Sequence, residues 1–215
     1  KFVDRYPNTF KIINKENGGH GSAINTGVEN VTGKYFKCVD ADDWVYTDAL
    51  ERTMKILEKE DFDVLIQSFI TYDISKDLWE PRDIHCDNTG HIYNLKEIVD
   101  MWEQIDYGMS FHGVTYNAQF YKSLGYKLIE GVFYEDQEYA TIPLSYAKRI
   151  RLLDDELYVY RLGDVNQSVS TQSQLSRLPH FEAVLFKILE HEKNLDKLPE
   201  GGRELWTRKI SMYLG

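Results

Sequence analysis

Three carboxylates stand within four residues at Asp40-Ala41-Asp42-Asp43, directly after the apolar run Tyr35-Phe36-Lys37-Cys38-Val39. A run of that kind reads as a strand, so the acidic cluster places negative charge at the carboxyl edge of a sheet. Ligands of open α/β folds bind at that edge. In extended backbone Asp40 and Asp42 project to the same side, because side chains alternate with a period of two. Two carboxylates held together repel, and a hard divalent cation between them removes the repulsion. Mg2+ and Mn2+ favour oxygen ligands and keep positions for phosphate oxygens, so the cluster could carry a metal that bridges protein to diphosphate. The plainer reading is a solvated turn with a helix cap. An EF-hand loop starting at Asp40 fails, because its sixth position needs Gly and holds Val45, with Trp44 where an oxygen ligand belongs. A phosphatase with a nucleophilic Asp40 is disfavoured, since Trp44 replaces the Thr or Val usual two residues after the second Asp.

A second acidic pair, Glu135-Asp136, follows Gly131-Val132-Phe133-Tyr134 and opens a stretch expected to be helical from Glu135 to Lys148 around Pro143. A helix N-terminus favours the anionic carboxylate, which can then accept a proton; ordinary first-turn charge explains the pair equally simply. A third segment, Leu157-Tyr158-Val159-Tyr160-Arg161, is followed by Gly163 and by Gln167-Ser168-Val169-Ser170. Arg161 could hold phosphate or an acidic partner, or end an aromatic strand structurally. Trp44 is a candidate for stacking on a sugar ring, with a core role as the alternative. The six histidines show no metal-ligand spacing, and His112, just before a strand, is the one singled out.

These residues need a scaffold, and the composition supplies one. The 215 residues are 42% hydrophobic and 13% aromatic, which is enough for a sizeable core. With 25 Lys+Arg against 35 Asp+Glu the net charge is −10, which argues against nucleic acid as a partner. Cys38 and Cys86 are too few for a disulfide framework and read as reduced thiols. No apolar stretch reaches the ~18 residues of a membrane span, and no secretory signal is seen, so a cytoplasmic protein is expected.

The elements alternate. Lys1 to Pro7 reads as a helix end and a turn, and 10–14 as a strand. The Gly-rich turn Asn17-Gly18-Gly19-His20-Gly21 leads to a helix over Ser22 to Val31, closed by a Gly33 C-cap. After the acidic cluster, Thr47 is expected to cap a helix that buries Leu50, Met54 and Leu57, with a Glu51–Lys55 pair on its surface. Asp63 to Tyr72 reads as a strand, Asp73 to Gly90 as an irregular excursion, and Leu95 to Ile105 as an amphipathic helix. A strand at 113–116, a helix at 117–124 and two strands at 150–153 and 157–162 complete the sheet. A helical tail begins near Leu175, with Phe181, Val184, Leu185, Ile188 and Leu189 on one face and Trp206, Ile210 and Tyr213 on another. The pattern is α/β with a mainly parallel, Rossmann-like sheet flanked by helices. Residues 1–170 form one domain and 171–215 a C-terminal helical extension.

The order and spacing of Asn17-Gly18-Gly19, Ala23-Ile24-Asn25-Thr26-Gly27, Thr32-Gly33-Lys34-Tyr35 and Val39-Asp40-Ala41-Asp42-Asp43-Trp44 closely resemble the family 2 glycosyltransferases. The resemblance covers Lys1 to about Ser170 and starts partway into the family pattern, so the first strands of the sheet and part of the nucleotide pocket are expected to lie outside these residues. It implies a GT-A fold that binds a nucleotide-sugar, commonly a UDP-sugar, with Mn2+ or Mg2+. By the same resemblance Asp42 matches the metal carboxylate and Asp40 its neighbour near the ribose. Asn17, Gly18 and Arg161 fall on the donor side, and Asp43 on a structural role. Asp136 matches the base and Glu135 the acceptor-side residue beside it, while Trp44 and His112 are weaker acceptor candidates. The implied activity is inverting transfer to a saccharide or lipid-linked saccharide, in the building of a cell-surface polysaccharide or glycan. Peripheral membrane association at the inner face is compatible with it. The alternatives are a non-catalytic nucleotide-sugar or carbohydrate-binding domain and, further off, a metal-dependent phosphatase.

Overall fold

In the computed structural model, residues 2–86, 90–163 and 176–214 are described. The chain begins with α1 (Phe2–Arg5), α2 (His20–Asn30), β1 (Tyr35–Phe36), β2 (Trp44–Val45), α3 (Thr47–Lys59), β3 (Val64–Asp73) and β4 (Leu78–Arg82). Next come β5 (Ile92–Tyr93), α4 (Leu95–Asp100), α5 (Trp102–Ile105), a 3-10 turn at Asp106–Gly108, β6 (Val114–Asn117), α6 (Ala118–Ser123) and α7 (Glu135–Ser145). β7 (Ile150–Leu162), α8 (Leu178–Leu189), a 3-10 stretch at Glu190–Lys197 and α9 (Gly202–Leu214) follow.

The sheet order is β1-β6-β3-β7-β2, with β4 added to β3 and β5 to β7. β3 is central because its residues are apolar on both faces: Val64, Leu65 and Ile66 are all fully buried. The class is α/β as expected, but the sheet is mixed rather than mainly parallel. β3 and β7 run parallel, and every other described pair is antiparallel. One cause lies within the stretch expected to be irregular: β4 (Leu78–Arg82) returns from β3 through a tight turn, and tight turns join only antiparallel strands, while 83–86 stay irregular.

Local expectations are corrected in several places. Residues 10–14 form no strand; Phe10, Ile12 and Ile13 are exposed, and none has a pairing partner among the described strands. The two strands expected at 150–153 and 157–162 are one, continuing past exposed Asp154 with a register shift opposite Gln67 to Phe69. Gly33 is not a left-handed cap, since α2 ends in extended backbone at Val31. Thr47 is not the cap of α3: Tyr46 holds the N-cap position, in extended backbone and with no side-chain capping bond among the described residues. The first two turns of that helix are rotated by one residue: Ala49 and Thr53 are buried, while Leu50 and Met54 are 37% and 45% exposed; Leu57 packs beside Phe62 as expected. A buried hydrogen bond from Gln67 Nε2 to Thr53 Oγ1, 3.0 Å, accompanies the rotation, since turning Thr53 outward would leave that buried donor without its acceptor. The Glu51–Lys55 pair forms at 3.0 Å. The 95–105 helix breaks at Met101 into α4 and α5.

The main core gathers Val64, Ile66, Ile98, Val114, Tyr116, Tyr139 and Leu152. A second cluster joins Val184, Ile188, Leu195, Trp206 and Ile210 to Ile142 of α7. The tail helices therefore bury the faces expected of them, and bury them against the helix that begins with Glu135-Asp136. The boundary expected at 170/171 lies outside the described residues. Among those residues no helix is long and apolar enough to cross a membrane.

The rotation of α3 is open to measurement by urea unfolding. Leu50→Gln and Met54→Gln should each stay within about 0.5 kcal/mol of the parent, whereas Phe62→Ala should lose about 3–5 kcal/mol. Comparable losses at all three positions would return α3 to the face first expected.

Candidate active site

The acidic turn is built from β7. The Asp40 N–H donates to the Tyr158 hydroxyl at 3.1 Å, and that hydroxyl in turn donates to Asp43 Oδ2. Asp43 Oδ1 accepts from the main-chain N–H of Arg161 at 2.8 Å, and the Asp43 N–H donates to the Asp40 carbonyl at 3.1 Å. Both Asp43 oxygens are thus committed to holding the turn. Burial, with Asp40 and Asp42 adding to it, pushes the Asp43 carboxyl up to about 6. Asp40, Asp42 and Asp43 each present an oxygen, and these oxygens lie within 4.8 Å of one another. A set of hard carboxylate oxygens this close fits a divalent cation that prefers oxygen ligands.

The second acidic pair comes to the same place. Glu135 is the first residue of α7 and is 2% exposed. Its predecessor Tyr134 has φ 74°, a left-handed conformation uncommon outside glycine, which turns the chain into the helix. His20, the first residue of α2, spans the two motifs: Nε2 lies 3.0 Å from Asp40 Oδ1, and Nδ1 lies 2.5 Å from Glu135 Oε1. Hydrogen bonds to Asp40 and Glu135 push its imidazole up to about 10, so it stands as an imidazolium between two carboxylates. Glu135 Oε2 is buried and has no hydrogen-bond partner among the described residues.

The turn before α2 is what brings His20 there. The Gly131 N–H donates to the Gly18 carbonyl at 2.7 Å, and the Gly19 N–H donates to Asn17 Oδ1 at 3.0 Å. At Gly19, φ is 82° and a Cβ would sit 3.1 Å from the Gly131 nitrogen, so a side chain would push the two loops apart.

Three cavities run in a row. One of 350 Å³ is lined by His20, Asp40, Asp42, Glu135, Asp136 and Tyr160 among others. It shares His20 and Asp40 with a second cavity of 380 Å³ that reaches Lys37, Cys38 and Ile24. It shares Asp136, Tyr160, Phe111 and His112 with a third of 440 Å³. Asp136 is half-buried and pushed up to about 6 by burial, with Glu135 adding to the effect. His112 is held down to about 3 by burial and by Lys37, and stacks on Tyr160 at 4.0 Å between ring centres, so it is a neutral wall.

Of the nine candidate residues, Asp40, Asp42, Glu135, Asp136 and His112 line the central cavity. Asn17 and Gly18 stand outside it and organise the turn beneath His20. Arg161 contributes its main-chain N–H to Asp43. Trp44 faces away, edge-on to Tyr72 at 6.2 Å and Trp79 at 6.3 Å, and lines none of the three cavities. The Gln167–Ser170 segment lies outside the described residues.

His20 was not among the candidates. Its sequence signal is weak: one histidine after a diglycine, with its partners 20 and 115 residues away.

Comparison with known proteins agrees with this geometry. A family model described as Glycosyl transferase family 2 matches residues 1–125. The uncharacterized glycosyltransferase EpsJ of Bacillus subtilis is 23% identical over 162 residues, covering 70% of this chain and 44% of EpsJ. The glycosyltransferase GlyA of Streptococcus pneumoniae is 24% identical over 155 residues, covering 70% of this chain and 22% of GlyA. The chain therefore spans less than half the length of either relative. Among solved structures, S. aureus TarS 1-349 in complex with UDP-GlcNAc superposes with TM-score 0.61 at 17% identity, over 99% of this chain and 58% of that one. The shared fold is thus GT-A-like, with the helical C-terminal region included in the match.

The charge on His20 can be read by NMR of its imidazole. A group whose folded pKa is raised stabilises fully below its unfolded value, near 6.5. That contribution declines as pH rises and is gone above about 10, where the imidazole titrates. The stability difference between the parent and His20→Ala should therefore be largest below neutral pH and vanish in alkali. A His20 midpoint near 6.5 would remove the imidazolium from the site.

Proposed function

The chain belongs to glycosyl transferase family 2, and from that premise we propose that the protein of which it is part transfers a sugar, with inversion, from a nucleotide-sugar to a saccharide hydroxyl. The observation that carries the reading is that Asp40, Asp42 and Asp136 line one cavity, flanked by a further cavity on either side. That arrangement suits a donor with its diphosphate at the acidic turn and an acceptor entering beyond Asp136.

In this reading Asp136 accepts the proton of the acceptor hydroxyl. The freed oxygen forms a bond to the anomeric carbon, and the bond from that carbon to the diphosphate oxygen breaks, its electron pair leaving with the nucleoside diphosphate. The carboxyl of Asp136, up near 6, is anionic at neutral pH yet more basic than an ordinary aspartate, as a base for a sugar hydroxyl needs. Glu135 holds the acceptor side of the cavity and is tied through His20 to Asp40, so the donor and acceptor halves share one hydrogen-bonded frame. Asp40 and Asp42 are the residues that would hold Mn2+ or Mg2+, which when bound offsets the charge of a diphosphate leaving group. TarS is solved with UDP-GlcNAc and with UDP, which makes UDP-sugars the first donors to test. The acceptor class is a saccharide or lipid-linked saccharide of polysaccharide biosynthesis, and a lipid-linked acceptor would place the protein at the inner face of a membrane.

The experiment is nucleotide release from a panel of nucleotide-sugars with Mn2+. The parent should turn over at least one donor, and Asp136→Asn should lower the rate by about 10²–10⁴ while binding of UDP persists. Activity in the parent should rise with pH through an apparent pKa near 6, because only the anionic carboxylate accepts the proton. Metal-dependent UDP binding without turnover would favour the non-catalytic binding domain. Phosphate release from simple esters would favour the phosphatase.

A further inference from the structure

The third cavity, on the far side of Asp136, has a wall that the α/β sheet does not supply. Lys209 on α9 is 4% exposed and lines it, together with Met212 and Tyr213 of the same helix. The Lys209 ammonium donates to the carbonyl of Met109, its one hydrogen-bond acceptor among the described residues. An ammonium carries three N–H donors, and leaving donors unused in a buried place is costly. Asp106 and Asp136 are the anions that act on it; burial still lowers it to about 8, so it stays largely charged at neutral pH. The same cavity is walled by rings: Tyr107, Phe111, His112 and Tyr160 face it. Flat aromatic faces beside a cation with spare donors suit the alternating apolar faces and oxygen edges of a sugar ring.

We propose that Lys209 is a specificity-determining residue of the transfer reaction, donating from the last helix to an oxygen of the acceptor saccharide seated between Asp136 and α9. The proposal rests on the reading of Asp136 as the base, and extends it by assigning acceptor recognition to the C-terminal helices. Their packing gives them the means: α9 docks on α7 through Tyr213, whose hydroxyl lies 2.7 Å from Thr141 Oγ1 and 3.3 Å from the Gln137 carbonyl. The first half of α7 thus carries the base and anchors the helix that holds Lys209.

The test measures release of nucleoside diphosphate from the best donor of the panel, in water alone and with added methyl glucoside, methyl galactoside, methyl N-acetylglucosaminide or glucose 6-phosphate. At least one of these probes should accelerate release by the parent, and the phosphate-bearing probe tells a charged oxygen from a hydroxyl. Lys209→Met should raise the KM for that probe by about tenfold or more, with the loss in KM rather than in kcat. A thermal melt checks the fold of this variant, and replacing a buried charge by an isosteric apolar chain should leave it folded. Met212→Trp, at an exposed position on the cavity mouth, narrows the entry without touching the core and should raise the same KM. Donor hydrolysis that no probe accelerates overturns the proposal alone, as does an unchanged KM in both variants. A parent that turns over no donor overturns the parent reading, and this one with it.

Discussion

One imidazolium between two carboxylates holds the site in register. His20 belongs to the first helix after the Gly-rich turn, Asp40 to the acidic turn and Glu135 to the start of α7, and nothing in the covalent chain brings the three together. Asp40 and Glu135 side by side would repel, and Asp42, Asp43 and Asp136 make the neighbourhood more acidic still. A single cation with two donors on opposite edges of its ring resolves this for one carboxylate from each half. The surrounding backbone is arranged to permit it. The Gly18–Gly131 hydrogen bond closes the two loops on each other, and the left-handed Tyr134 sends Glu135 inward.

The sheet supplies the other half of the frame. β7 is long enough to serve two purposes. It pairs with β3 along both halves of its length, and its later residues Tyr158 and Arg161 also hold the acidic turn through Asp43. The tail helices close the far side, and because they share a core with α7 they are coupled to the helix that presents Asp136. The cavity, Asp136 and the tail helices are therefore parts of one packed unit among the described residues.

How much of this was legible in the sequence depends on the range of the interaction that decides each feature. Long elements with strong apolar patterns, such as β3 and the faces of α8 and α9, were readable because burial alone selects them. The acidic turn and the Glu135-Asp136 pair were readable because their residue types sit at fixed spacing. The α3 rotation was not, since it goes with a contact between Thr53 and Gln67 on another element. The strand expected at 10–14 needed a neighbour to pair with, a property of the assembled sheet. β4 was missed because an edge strand carrying Pro81 has no periodic signal. His20 was missed because its meaning lies in partners that only the fold brings near, and Trp44 lies beside Tyr72 and Trp79 rather than on any of the three cavities.

The central claim is that the carboxylates of Asp40 and Asp42 seat a divalent ion on the same cavity as Asp136. Anomalous X-ray scattering at the manganese edge, from crystals grown with Mn2+ and UDP, addresses it directly. A single strong peak between Asp40 and Asp42, with the nucleotide diphosphate beside it, is the predicted result. Bound UDP with no ion there, or manganese held by other side chains, would contradict it.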